Sequence, residues 1–115
     1  VRQRHERAGR RAETLAAAYL RLKGYRILAR RLRRPPIEID ILAQTGDTLV
    51  LVEVKYRKTP DAALLAPSPQ DRARLARAAE GLLAEARFRN RAQNARVDIL
   101  ALAPWAWPRH IRNVQ

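Results

Sequence analysis

The chain has no cysteine, which excludes disulfide frameworks, thiolate zinc sites and thiol nucleophiles. Histidine is almost as scarce: His5 and His110 are the only imidazoles. A histidine-rich metal centre or a Ser-His-Asp triad therefore has little support. No apolar run approaches the ~20 residues needed to cross a bilayer, so no membrane partner is expected and the protein is read as cytoplasmic. Acidic side chains are a minority, 11 Asp and Glu against 24 Lys and Arg. Carboxylates must do any metal work, and oxygen donors favour hard ions such as Mg²⁺ or Mn²⁺. The 115 residues, 47% of them hydrophobic, suit one domain over residues 1–115 with one core.

What the chain does have is arginine, 21 residues against Lys23, Lys55 and Lys58, for a net charge of +13. A genome-wide preference for Arg would exchange it for Lys and leave the net charge unchanged. A polyanionic partner explains the excess better. The charge is also unevenly placed: +10 over residues 1–34, −3 over 35–71 and +6 over 72–115. Carboxylates repel phosphates, so an acidic centre between basic flanks suits a passive nucleic-acid binder poorly. It suits an enzyme that holds a metal among carboxylates and steers a phosphodiester onto it.

That centre is the stretch 35–57, PPIEIDILAQTGDTLVLVEVKYR. Two alternating apolar runs flank Gly46-Asp47, the signature of a β-hairpin. A two-residue turn there sets Thr45 opposite Thr48, Leu42 opposite Leu51, Asp40 opposite Glu53 and Glu38 opposite Lys55. Like charges facing each other on one side of a hairpin repel, which predicts a bound cation between Asp40 and Glu53. Lys55, two residues beyond Glu53, points to the same side. The bland alternative is a surface hairpin with Glu38 paired to Lys55 and Asp40 to an outside Arg; it leaves Glu53 facing Asp40 unexplained.

Around this hairpin the pattern predicts a helix over about 5–23, from Ala8, Ala12, Leu15, Tyr19 and Leu22, closed by Gly24 at its C-terminal cap. The Arg-rich start could be taken for a transit peptide, but Glu6 and Glu13 interrupt the charge and the segment reads as part of the fold. Glu13 lies beside the stripe, and spacing alone slightly favours a solvated Glu paired with a nearby Arg. Residues 25–34 read as a first strand, broken by Pro35-Pro36. In the second strand Ile37, Ile39 and Ile41 share a face opposite Glu38, Asp40 and Leu42. The third strand is apolar on both faces, so it is expected to be central and covered on both sides. Residues 58–68 form a loop punctuated by Pro60 and Pro67.

Ser68-Pro69-Gln70-Asp71 is a helix start with a capping Ser and Pro at the first position. Leu75, Ala79, Leu82, Leu83 and Ala86 give that helix its buried face. Gln70, Arg74 and Arg77 share another face and are expected to meet phosphates. Residues 87–96 read as a polar connection, 96–103 as a strand pairing in parallel through the crossover, and 109–114 as a short last strand. Trp105 and Trp107 are expected to close the edge of the core, base stacking being the lesser reading.

The order helix, three strands, helix, two strands predicts an α/β (α+β) fold with a mixed five-stranded sheet flanked by helices. The run of Asp40, then Glu53-Val54-Lys55, resembles the PD-(D/E)XK nuclease superfamily of restriction endonucleases and Holliday junction resolvases. More closely the chain resembles the YraN family of bacterial predicted endonucleases. The match runs through Gly9-Arg10 with Glu13, Gly24-Tyr25, Glu38-Ile39-Asp40, and Val52-Glu53-Val54-Lys55 with Arg57. It continues through Arg74-Leu75 with Ala78-Ala79, Arg96-Val97-Asp98 and His110-Ile111-Arg112-Asn113. Two departures stand out: Ile37 replaces a usual Gly, and the Lys often found at the start of the second helix is absent, with Gln70, Asp71 and Arg72 there.

The resemblance implies a restriction endonuclease-like fold and metal-dependent hydrolysis of nucleic acid, with DNA favoured and branched DNA a candidate substrate. Asp40, Glu53 and the Val54 carbonyl would hold Mg²⁺ or Mn²⁺, and Glu13 would ligate it or act through water. Lys55 would position the attacking water or stabilise transition-state charge. Arg10 and Arg57 would join Gln70, Arg74 and Arg77 on the nucleic acid. Junction-cleaving relatives act as dimers, so a homodimer is compatible with the resemblance. Two other functions remain open: a non-cleaving nucleic-acid-binding module on a nuclease fold, and a basic structural protein of a ribonucleoprotein.

Overall fold

The computed structural model describes residues 2–34, 37–58 and 68–114, and their side chains apart from those of 2–9, 86 and 89. Pro35-Pro36 and the body of the 58–68 loop, with Pro60 and Pro67, lie outside the described residues. Helix α1 (Arg2–Leu22) leads into strands β1 (Arg26–Arg34), β2 (Ile37–Thr45) and β3 (Thr48–Tyr56). Helix α2 (Pro69–Ala84) and the single-turn helix α3 (Ala86–Arg89) precede β4 (Asn94–Leu102) and β5 (Arg109–Ile111). The strands lie in the order β1-β2-β3-β4-β5, antiparallel except for the parallel β3–β4 pair. This is the mixed α/β arrangement the pattern predicts, with α3 as a short insertion in the stretch read as a connection.

Local chemistry sets the boundaries. Gly24, at φ +92, closes α1 with the paired bonds of a left-handed cap, Tyr25 N–H to Leu20 O and Gly24 N–H to Arg21 O, both 3.0 Å. Gly46 has φ +57 and opens the two-residue turn that pairs Thr45 with Thr48, the register expected from the sequence. The Ser68 hydroxyl accepts from Asp71 N–H at 3.1 Å and Pro69 opens α2.

The sheet is covered on both faces. On one, Ala12, Ala16, Ala17 and Leu20 of α1 pack on Ile41, Ala43, Val50, Val52 and Leu100. On the other, Leu75, Ala79 and Leu82 of α2 pack on Ile39, Leu42, Leu49, Leu51 and Val97. β3 is the central strand, as its two apolar faces require.

Three expectations need correcting. Leu15 and Leu22 are exposed, so the buried stripe of α1 is offset toward its alanines, and Glu13 lies within it rather than beside it. Small side chains let the helix sit close to the sheet, which a leucine stripe would prevent. Trp105 and Trp107 do not close the core; both are almost wholly exposed. Finally, Ile39 and Ile41 pack in opposite layers although two residues apart. Between them lies Asp40, which belongs to neither ladder: the β1–β2 register runs from Arg30–Ile41 to Leu32–Ile39 and the β2–β3 register stops at Ile41–Val52. The strict alternation of side chains holds only while a strand stays paired and regular, and the facing residue of β1, Arg31, is itself left-handed at φ 53.

Candidate active site

The break in the sheet is where the acidic residues meet. The β2–β3 ladder runs from Thr45–Thr48 to Ile41–Val52 and stops. Continued antiparallel pairing would bring Val54 N–H to the Ile39 carbonyl. Instead Val54 N–H donates to Asp40 Oδ2 at 2.8 Å. A side-chain carboxylate thus replaces a backbone acceptor and the strands part. Neither Asp40 with Glu53 nor Glu38 with Lys55 is joined in the ladder, which corrects both cross-strand pairs; Asp40 and Glu53 meet instead as walls of one cavity.

Asp40 and Glu53 line a common cavity of about 70 Å³, with Glu38, Ile39, Leu51, Val52 and Leu75 as its other walls. At ~30 Å³ per water, that holds a cation with about one or two waters. Glu53 Oε2 is buried there without a hydrogen-bond partner, the one such side-chain atom among the described residues. Burial pushes the Asp40 carboxyl up to about 6. The Val54 N–H opposes this, while the charges of Glu13, Glu53 and Glu38 add to it. An orphaned oxygen and a carboxylate that resists ionising both describe a site short of positive charge.

Glu13 reaches the same neighbourhood from α1. It is buried and takes the Arg31 Nε–H at 2.7 Å to Oε2 and 3.3 Å to Oε1. The pairing of Glu13 with an Arg is the one spacing favoured, but the Glu is buried rather than solvated. The hydrogen bond to Glu13 raises the Arg31 pKa, with the charges of Glu13, Glu38 and Asp40 in the same sense. Sequence reasoning missed Arg31. Its only signal was a doubled arginine, Arg30-Arg31, inside an alternating strand. Arg30 reaches the same helix, donating to Thr14 Oγ1 at 2.9 Å.

The remaining expected residues divide. Lys55 is half-buried on β3, opposite Ala101 of β4. Arg74 lines a second cavity with Glu53, Glu38 and Asp71, so one basic side chain of α2 borders the acidic pocket. Arg74 and Arg77 then line an adjoining groove of about 340 Å³ with Arg34, which is tied to Glu85 at 3.2 Å. Gln70 is exposed near the start of α2. Arg57 is exposed at the end of β3, its guanidinium bonded to the Tyr56 carbonyl at 2.8 Å. Arg10 is exposed on α1, apart from this groove's lining.

A family model described as uncharacterised protein family UPF0102, the YraN family, matches residues 12–102, from the buried face of α1 to the end of β4. The chain belongs to the UPF0102 family. A UPF0102 protein of Caulobacter vibrioides is 50% identical over 105 residues, 91% of this chain and 83% of its own length. One from Parvibaculum lavamentivorans is 48% identical over 106 residues, covering 91% and 78%. One from Mesorhizobium japonicum is 45% identical over 112 residues, covering 97% and 89%. The UPF0102 match spans every carboxylate of the site: Glu13, Glu38, Asp40 and Glu53.

Among the described residues no group of three or more carboxylates and imidazoles is arranged to hold a metal ion. Two carboxylates are enough for Mg²⁺, which keeps several waters and is commonly bound through one or two acidic side chains plus substrate phosphates. Asp40 and the orphaned Glu53 fit that donor set.

The raised Asp40 pKa has a measurable consequence. A carboxyl that holds its proton to about pH 6 when folded, and to the ordinary 3.8 when unfolded, favours the fold fully below about 4. That contribution is lost as pH rises through about 6. In EDTA, Asp40→Asn is therefore expected to be more stable than the parent above pH 6, by roughly 1–3 kcal/mol. The difference should vanish toward pH 4. Thermal melts of both proteins across that range check it; a constant offset would show that ionisation of Asp40 is not the cause.

Proposed function

We propose that this UPF0102 protein hydrolyses phosphodiester bonds in nucleic acid, with DNA as the favoured substrate, using a divalent cation held by Asp40 and Glu53. The observation that carries this reading is the unpartnered Glu53 Oε2, buried in the cavity it shares with Asp40 and bordered by Arg74. A buried carboxylate oxygen with no donor is costly unless something positive completes it. The net charge of +13 adds a polyanion as the natural ligand.

Bound there, Mg²⁺ or Mn²⁺ would polarise a phosphoryl oxygen and lower the pKa of a water. The protein's own groups do the rest. Val54 N–H fixes the orientation of Asp40, and Arg31 holds Glu13 close enough for its charge to act on Asp40. The Lys55 ammonium offers positive charge to the phosphate as negative charge builds on it. Arg74 and Arg77 lead the backbone toward the pocket. Their double replacement by Ala should weaken binding equally for all sequences and reduce the slope of log affinity against log salt by about 2. Titrations at several salt concentrations in EDTA measure it; an unchanged slope would remove both from the interface.

The reading is tested on linear, nicked, flapped and four-way DNA, each with Mg²⁺, Mn²⁺ or EDTA, alongside Asp40→Ala. Cleavage that needs metal and Asp40 supports it. One observation favours a second reading, a binding module that does not cut: Glu13 is committed to Arg31 and no third acidic or imidazole donor joins Asp40 and Glu53 in a metal-holding group among the described residues. Tight, salt-dependent binding without cleavage of any substrate by either metal would select it.

A further inference from the structure

Trp105 and Trp107 are 104% and 88% exposed, the two most exposed large apolar side chains among the described residues apart from Leu22. Trp105 also takes φ 61, a conformation that bulky residues rarely adopt. A tryptophan that is strained and unburied gains nothing from packing. Backbone strain of this kind concentrates where a ligand is met.

The surroundings say which ligand. The loop carrying both rings leaves β4 after Leu102, which pairs with Tyr56 and accepts Arg57 N–H at 3.1 Å. Arg109, where the chain re-enters the sheet, pairs with Ala101, and Ala101 pairs with Lys55. Lys55 and Arg109 thus stand in one row, two strand spacings or roughly 10 Å apart. Tyr56, Arg57, Lys58 and Arg109 are all exposed. Aromatic rings interleaved with cations, at the end of the sheet beyond Glu53 and Lys55, match the chemistry of nucleobases stacked beside phosphates.

We propose that Trp105 and Trp107 form a stacking platform for unpaired nucleobases beside the end of the sheet that carries the cavity of Asp40 and Glu53. The preferred nucleic acid then carries single-stranded nucleotides at the site, as a flap, a frayed end or an open branch point. This rests on the reading that the polyanion is nucleic acid, and it supplies the substrate class which that reading lacks.

The chain has only these two tryptophans, so emission excited at the red edge of the aromatic band, where its three tyrosines do not absorb, reports on this loop alone. The test uses oligo-dU and oligo-rU of about a dozen nucleotides, which differ only in the sugar, and a blunt duplex of similar length, in EDTA. Single strands are expected to quench the emission, the blunt duplex to bind with little quenching, and the better quencher of the two single strands tells DNA from RNA. By anisotropy of labelled oligonucleotides, Trp105→Ala with Trp107→Ala should weaken single-strand binding roughly 10-fold or more. Duplex binding should stay within about twofold, because phosphate contacts persist. The Trp→Phe pair should restore most of the loss, since a ring remains to stack.

Equal quenching by duplex, or unchanged single-strand affinity in the Ala pair, would overturn the proposal. So would a concentration-dependent blue shift without nucleic acid, accompanied by a doubled mass that the Ala pair abolishes; the rings would then belong to an interface between two copies. No divalent ion is present in these measurements. Quenching by single strands from a protein that cuts nothing would sink the nuclease reading and leave this one standing, and cleavage without quenching would do the reverse.

Discussion

Asp40→Ala is expected to lower metal-dependent cleavage by on the order of 100-fold or more while leaving the fold intact and nucleic-acid binding in EDTA unchanged. The three expectations belong together. Loss of one of two carboxylates removes half of the anionic donor set, and a single remaining acid holds a divalent ion poorly. The fold survives because Asp40 is a burden to it at neutral pH: burial and three neighbouring carboxylates all push its proton affinity up. What the variant loses structurally is one acceptor for Val54 N–H, worth about 1 kcal/mol. Binding is expected to survive because the proposed phosphate contacts are arginines, not acids. The decisive measurement is single-turnover cleavage of the best substrate from the DNA panel, with melts and EDTA binding alongside. A variant that cuts at the parent's rate would take Asp40 out of the chemistry, whatever its position.

The second large effect lies on the other side of the sheet's centre, at Asp98 on β4. This carboxylate is fully buried and gathers donors from three directions. Arg96 approaches at 3.0 Å, His110 Nε2 at 2.7 Å and Asn113 N–H at 2.9 Å. Arg96 also donates to the Tyr25 hydroxyl at 2.8 Å, and Lys23 Nζ meets His110 Nδ1 at 2.7 Å. With Lys23 as an ammonium, Nδ1 accepts and the Nε2–H is donated to Asp98. Burial works to raise the Asp98 pKa, but His110, Asn113 N–H and Arg96 outweigh it and hold the carboxyl below its ordinary value. The cluster therefore ties the end of α1, strand β4 and the terminal segment into one unit.

Asp98→Ala should cost about 3–5 kcal/mol, because it strands buried donors rather than merely deleting a bond. For a chain of this size that lowers the melting temperature by on the order of 10–20 °C. Amide exchange should rise first at Asn113, whose N–H loses its acceptor. The sign with pH is opposite to that of Asp40: a depressed folded pKa gives stability above the ordinary value that is lost as pH falls through the folded one. A melt of Asp98→Ala matching the parent's at pH 7 would show that the cluster holds nothing together.

The contrast between these two aspartates shows how far the primary structure could be read. Asp98 had no signal beyond its place in Arg96-Val97-Asp98. Its partners, His110 and Asn113, come from a strand and tail that only folding brings alongside. Asp40 was legible because the turn at Gly46-Asp47 sets its register, and register carries along two short strands without knowledge of anything else. The same logic already ran out at Asp40, where the ladder has stopped. Alternation put Ile39 with Ile41, and the break at Asp40, which is outside both ladders, leaves them in opposite layers. A strand's own pattern does not contain the irregularities of its neighbour.

Composition and short-range pattern by themselves determined the five strands and two long helices, their order, the two caps, the turn that starts the hairpin register and the identity of the acids. Each of these depends on residues within a few positions, or on sums over the chain. Only the tertiary structure decided that Glu13 lies buried under Arg31, that the ladder stops where Asp40 takes Val54 N–H, and that Glu53 keeps an oxygen without a partner. It also decided that both tryptophans face solvent. Those facts turn on which side chain fills a given space and which donor reaches a given acceptor, and that is settled by packing between segments far apart in the chain.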